Sequence, residues 1–141
     1  MYGQRIKEVM EREHMLHAPP HTTVAEAARM MAERRVSAVL VLDEGRLAGI
    51  FTERDAVFRV IAPDRDARNT TLADVMTADP VTIGPDKTFG QALALMHERG
   101  IRHVPVVDKG KVVGVVSARD ALDPDLEEFV CEAQRRQSIV N

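Results

Sequence analysis

Residues 34–56 read RRVSAVLVLDEGRLAGIFTERDA, and residues 99–121 read RGIRHVPVVDKGKVVGVVSARDA. Each stretch has a short apolar run (Val39 to Leu42, Val104 to Val107), an Asp-x-Gly-x turn, and a second run (Leu47 to Phe51, Val112 to Val116). Two runs of strand length joined by a Gly-containing turn predict a β-hairpin in each. Sliding the chain on itself by 65 residues superposes Thr22 to Ala56 on Lys87 to Ala121, with 13 of 35 pairs identical. The pairs include Thr23 with Thr88, Met31 with Met96, Asp43 with Asp108, Gly45 with Gly110, Gly49 with Gly114, and the Arg-Asp-Ala ending. Val9-Met10 and Val75-Met76 also correspond, after a one-residue slip. A register kept through helix, strand and turn marks an internal duplication.

Upstream of each hairpin a helix opens with a capping-box pattern, Thr23-x-x-Glu26 and Thr88-x-x-Gln91. Apolar residues follow at Val24, Ala27, Ala28 and Met31, and at Phe89, Ala92, Leu93 and Met96, the stripe of an amphipathic helix. The methionines read as gap-fillers on its buried face. A further apolar run, Val81-Thr82-Ile83, precedes the second helix, and Met15-Leu16 is its weaker counterpart. A last helix begins near Arg54 and near Arg119, so the order in each copy is βαββα. The stretch APDRDARNTT, 62–71, is polar and aperiodic and reads as the connection. The expected division is repeat one at 1–62, a linker at 63–71, repeat two at 72–122 and a helical tail at 123–141. In that tail Phe129, Val130 and Ala133 share a side, as a dimer contact or a cap on the core.

Units near seventy residues bury little alone, so the halves of this 141-residue chain should need each other. A net charge of −3 from 19 basic and 22 acidic residues leaves no surplus field for a phosphate polymer or an anionic membrane. Four Phe, one Tyr and no Trp argue against stacked recognition of single-stranded nucleic acid. A single cysteine, Cys131, excludes an internal disulfide framework and points to a reducing compartment, with a small buried role for its side chain. No apolar run approaches a membrane span, and MYGQRIKEVM lacks a signal-peptide core, so a cytoplasmic location is expected.

At the end of each hairpin, Thr52-Glu53-Arg54-Asp55 and Ser117-Ala118-Arg119-Asp120 place a capping hydroxyl before a helix and a carboxylate three residues later. Such a junction offers N–H donors to a phosphate, and the carboxylate of Asp55 or Asp120 could accept both hydroxyls of a ribose diol. In a single copy the same pattern is more simply a capping box beside an Arg. Its recurrence within the duplication favours two binding junctions.

GIRHVPVVD followed by VGVVSARDA, and RRVSAVLVLD followed by AGIFTERDA, make the chain from residue 5 to about 122 resemble the cystathionine β-synthase family of CBS domains, as a stand-alone, bacterial-type tandem pair. The resemblance implies an α/β (α+β) fold of two tandem βαββα CBS repeats paired about a pseudo-twofold axis. It implies two clefts for AMP, ADP or ATP, and in some members S-adenosylmethionine or a dinucleotide such as NAD. In one cleft Asp120 and Ser117 would hold ribose and phosphate, with Arg102, His103 and Arg119 adding positive charge and Val36 and Ser37 lining the adenine. In the twin cleft Asp55 and Thr52 would take the ribose and phosphate roles, with Ile101 and Pro105 near the base and Thr77 beside them. Copy one carries Ser37-Ala38 where copy two has Arg102-His103, which favours the Asp120 cleft for a charged ligand. It also carries Glu11 where copy two has Thr77, and Leu40 where copy two has Pro105. An unperturbed His103 would titrate near neutrality, so binding is expected to weaken at alkaline pH.

The chain is therefore expected to be a regulatory sensor and not an enzyme, with an adenosine nucleotide as ligand and no catalytic cofactor. No nucleophile motif or Walker-type loop stands in it, though Asp55 and Asp120 could serve as general bases. His14, His17 and His21 lie close together, but the spacing is only suggestive and no metal site is expected. The other alternative is an interaction or dimerisation module with vestigial clefts. No attached catalytic, channel or DNA-binding unit is expected, so the effector should be a separate protein or the oligomer itself, and a homodimer is expected.

Overall fold

The computed structural model describes residues 2–10, 15–120 and 136. Glu11, His14, Cys131 and the tail bearing Phe129, Val130 and Ala133 lie outside the described residues. The elements run α1 (Ile6–Val9), β1 (His17–Ala18), α2 (Val24–Arg34), β2 (Ala38–Asp43), β3 (Arg46–Thr52) and α3 (Glu53–Asp55). A π-helical turn, Ala56–Ile61, continues α3, and then come α4 (Leu72–Val75), β4 (Thr77–Ala78), α5 (Phe89–Arg99), β5 (His103–Asp108) and β6 (Lys111–Ser117). Residues 119–120 are again helical, as expected after the second hairpin.

Both hairpins close through the same two-residue turn. Glu44 (φ 51°) and Gly45 (φ 80°) are matched by Lys109 (φ 52°) and Gly110 (φ 80°). Two consecutive positive φ values define the turn whose twist suits a hairpin, and glycine supplies the second of them. A bulge after Val41 recurs after Val106. In repeat one β1 runs parallel to β2 and β4 antiparallel to β3, giving a four-stranded sheet β1-β2-β3-β4. In repeat two the equivalent of β1 shrinks to one parallel bridge, Ile83 to Val106. Pro80 and Pro85, which have no N–H to donate, bracket that segment. The first strand also begins two residues later than Met15, at His17, where its partner Leu40 donates to the Leu16 carbonyl.

The helix starts follow the caps. Thr88 Oγ1 accepts from the Gln91 amide at 3.1 Å and Gln91 Oε1 accepts from the Thr88 amide at 2.9 Å. Thr23 Oγ1 accepts from the Glu26 amide at 3.1 Å, but the exposed Glu26 carboxylate does not complete the box. Val24, Ala27 and Met31 of α2 and Phe89, Ala92 and Met96 of α5 are buried, while Ala28 is exposed.

The two cores exchange their leading segments. Leu72 and Val75, beyond the linker, pack with Val24, Phe51 and Val60 of repeat one. Ile6 and Met10, at the start of the chain, pack with Phe89, Val104 and Val116 of repeat two. Backbone bonds fix the exchange in matching pairs. The Leu72 amide donates to the Thr22 carbonyl and the Ile6 amide to the Lys87 carbonyl, both at 2.9 Å. The Val24 amide donates to Thr70 at 2.9 Å and the Phe89 amide to Gln4 at 2.8 Å. Each repeat thus completes its core with residues from the other.

Close packing also explains Gly49. A Cβ there would sit 2.8 Å from the Thr77 carbonyl oxygen and 2.5 Å from the Met76 sulfur, so only glycine lets β4 approach β3.

Candidate functional site

The site is assembled from two equivalent junctions. Helix α2 ends with Arg35 in the left-handed region (φ 54°, ψ 42°), and the Val36 amide reaches back to the Met31 carbonyl at 3.1 Å. Helix α5 ends identically at Gly100 (φ 65°), with the Ile101 amide donating to Met96 at 2.9 Å. These six-to-one bonds satisfy helix-end carbonyls and turn the chain sharply into the next strand. The Glu53 amide then donates to the Ser37 carbonyl at 3.1 Å, and the Ala118 amide to the Arg102 carbonyl at 2.9 Å. Each helix end is therefore tied to the helix start that follows its own hairpin.

Between the repeats lies a cavity of about 230 Å³. Repeat one contributes Leu16, Arg34, Arg35, Val36, Ser37, Ala38 and Leu40 to its wall, and repeat two contributes His103, Val115, Ser117 and Arg119. A second cavity of about 410 Å³ adjoins it, sharing Arg35, Val36, Ser37 and Arg119, with Phe51, Ala28 and Glu53 among its other walls. Across the first cavity Ser37 Oγ and His103 Nε2 stand 2.8 Å apart, a hydrogen bond that joins the two repeats. Behind Ser117 the chain turns into a helix, and Asp120 Oδ2 accepts from the Ser117 amide at 2.8 Å.

Burial lowers the His103 pKa below its ordinary value, and nearby Arg102 lowers it further, against an opposing pull from Glu53. The imidazole is accordingly neutral at pH 7, a correction to the near-neutral titration expected from sequence. Positive charge in the cavity comes from the arginines. Two of these, Arg34 and Arg35, were missed in the sequence because nothing in it shows where the left-handed helix end aims them. Arg102 is exposed and lies outside the cavity lining, holding its place through its carbonyl. Val36, Ser37, Ser117, Arg119 and His103 all line the first cavity, and Asp120 is bonded to the Ser117 amide.

The twin junction is furnished differently. Thr52 and Asp55 form a complete capping box, with Asp55 Oδ2 accepting from the Thr52 amide at 3.0 Å and its hydroxyl at 3.3 Å. Asp55 Oδ1 is 3.6 Å from Arg59 Nε, and the aspartate side chain is only 11% exposed. Both carboxylate oxygens are thus engaged within the protein. Arg54, the counterpart of Arg119, donates to the Gly100 carbonyl at 3.5 Å and stacks 5.3 Å over the Phe58 ring. Pro105 is fully buried, Ile101 packs on the second core, and Thr77 is exposed on β4 beside Ile50.

Among the described residues no cluster of three His, Cys, Asp or Glu could hold a metal ion. His17 and His21 are exposed, and His14 is outside the described set. No helix of the described residues is long and apolar enough to cross a membrane.

The CBS domain family model matches this chain twice, over residues 6–62 and 72–126. The chain belongs to the CBS domain family. It is 36% identical over 101 residues to the CBS domain-containing protein YhcV of Bacillus subtilis, covering 72% of this chain and 71% of that one. It spans only 18 to 25% of the length of several longer curated relatives. Among solved structures, an uncharacterised conserved protein from Pyrococcus horikoshii superposes with a TM-score of 0.82 at 31% identity, covering 89% of this chain and 94% of that one. A CBS domain protein from Pyrobaculum aerophilum complexed with AMP superposes with a TM-score of 0.75 at 29% identity, covering 83% and 89%. The tandem α+β CBS architecture expected from the duplicated motif is thus the one observed.

Proposed function

We propose that this CBS pair is a regulatory sensor that binds an adenosine nucleotide, AMP, ADP or ATP, in the cleft between Ser37 and Ser117, and that it catalyses no reaction of its own. The observation that carries this reading is the cavity of about 230 Å³ whose walls come from both repeats and whose opposite sides meet in the Ser37–His103 hydrogen bond. Leu16, Val36 and Val115 offer an apolar slot for a purine, while Ser117, Arg119 and the helix start beyond them face where a 5′-phosphate would lie. Asp120, whose Oδ2 accepts from the Ser117 amide, stands at the same helix start, where a carboxylate would meet the two ribose hydroxyls. AMP in the Pyrobaculum relative supports an adenosine ligand here. The twin cleft is the weaker candidate, because Pro105 is buried, Ile101 packs on the second core and Thr77 is exposed on β4.

A ligand gripped by both repeats favours one relative orientation of them, and that preference is the signal passed to an effector. The same reading makes the chain a cytoplasmic homodimer. Val57, Phe58 and Ile61, which are 48%, 61% and 70% exposed on one helical turn, are the face a second copy would cover. Sedimentation equilibrium giving only monomer would remove that part. Nucleotide binding is tested by thermal melting with AMP, ADP, ATP, NAD and S-adenosylmethionine. A ligand at about a hundred times its dissociation constant adds about 2.7 kcal/mol of stability, and Asp120→Ala should abolish the shift. Absence of a shift with every ligand favours the pure interaction module instead.

A further inference from the structure

Arg35 occupies a position that its own repeat partner assigns to glycine. Helices α2 and α5 have eleven residues each and end in the same cap, yet the left-handed residue is Gly100 in one and Arg35 in the other. A residue with a Cβ adopts that conformation only at a cost that glycine escapes. Nothing in the cap itself uses the guanidinium, since only backbone groups form it.

The side chain's surroundings supply a reason. Arg35 lines both the 230 Å³ and the 410 Å³ cavities, as part of the wall they share. With Arg34 and Arg119 it makes three arginines in the lining of the first cavity, which holds no carboxylate. Among the described residues neither Arg34 nor Arg35 forms an ion pair. Glycine in this position of the twin junction brings no charge there. The larger cavity carries Glu53 in its wall, so Arg35, in the wall the two share, stands where a phosphate chain leaving the smaller cavity needs a cation. It would also repel a cationic substituent at the same place.

We propose that Arg35 is the anion-selecting residue of this cleft, held in a left-handed helix cap so that its guanidinium meets the 5′-phosphates of a nucleoside di- or triphosphate. The proposal rests on the adenosine reading given above and narrows it. The site should favour ATP and ADP over AMP, AMP over adenosine, and should disfavour the sulfonium of S-adenosylmethionine.

The test is calorimetric titration of ligand-free protein with ATP, AMP, adenosine and S-adenosylmethionine, for the wild type, Arg35→Gly and Arg35→Lys, with the melting temperature of each unliganded protein. Arg35→Gly should weaken ATP about tenfold, the worth of one charge-assisted contact, and leave adenosine unchanged. Its unliganded melting temperature should rise by about 2 °C as glycine relieves the cap. Arg35→Lys should recover part of the ATP affinity without that rise. Equal losses for ATP and adenosine, or unchanged ATP affinity in Arg35→Gly, would overturn the proposal while leaving the adenosine reading intact. A fall in melting temperature would show that Arg35 stabilises the fold and would overturn it too. Failure of the wild type to bind any of the four would refute the adenosine reading, and this proposal with it.

Discussion

Replacing Leu72 by alanine removes a side chain that starts the second half of the chain but is 0% exposed in the core of the first. Three carbon groups leave a packed environment of Val24, Phe51 and Val75, at about 0.8 kcal/mol each for transfer alone. Incomplete collapse of the cavity brings the expected loss to about 3 kcal/mol, inside the usual range for a buried leucine. Against a total of about 5 to 15 kcal/mol, that is a large fraction. Urea unfolding followed by circular dichroism suits a chain with no tryptophan. With a slope of about 2 kcal/mol per molar, the midpoint should fall by about 1.5 M in a single transition of unchanged slope. The single transition matters most, because Ile6 and Met10 reciprocate by completing the core of repeat two. A midpoint shift under about 0.5 M would refute the burial argument. Two separate steps, one at the wild-type midpoint, would refute the interdependence of the repeats.

The lowered pKa of His103 fixes a direction for pH dependence. The unfolded chain takes up its proton near 6.5 and the folded protein only below that, so the unliganded protein loses stability as pH falls through that window. Comparing melting temperatures at about pH 5.5 and 7.5, the fall should be smaller in His103→Gln, and an identical fall would contradict the assignment. Because a bound phosphate favours imidazolium, nucleotide affinity should rise on acidification through the same window and be flat at alkaline pH. Gly49→Ala should cost about 1 to 3 kcal/mol, since its Cβ would meet the Thr77 carbonyl and β4 must move. A neutral result in urea unfolding would mean that β4 is free to shift.

The hairpins were legible because their signals are local. Asp43-Glu44-Gly45 and Asp108-Lys109-Gly110 carry both the turn and its left-handed glycine, and the apolar runs beside them have only one compact pairing. The helix caps were legible for the same reason, although the exposed Glu26 left its box half made. The edge strands were less so: His17–Ala18 pairs through two residues displaced from the Met15-Leu16 run, and Ile83 through a single bridge. Their position depends on where the neighbouring strand offers free groups, which no local pattern encodes. The exchange of α1 and α4 left only a faint trace, the one-residue slip of Val9-Met10 against Val75-Met76. In the cleft, Ser37, His103, Ser117 and Arg119 were visible as motif residues. Arg34 and Arg35 were not, because their direction is set by a backbone angle at a helix end. The contact of Asp55 with Arg59, one helical turn on, was not legible in the motif either.

The central claim is that a nucleotide binds between the repeats at Ser117 and Asp120, and the most direct measurement is the melting temperature with and without ATP and AMP in wild type, Asp120→Ala and Asp55→Ala. The account predicts a rise of several degrees that survives Asp55→Ala and disappears in Asp120→Ala, with both unliganded variants folded. A rise that Asp120→Ala leaves intact and Asp55→Ala removes would put the ligand in the other cleft and contradict it.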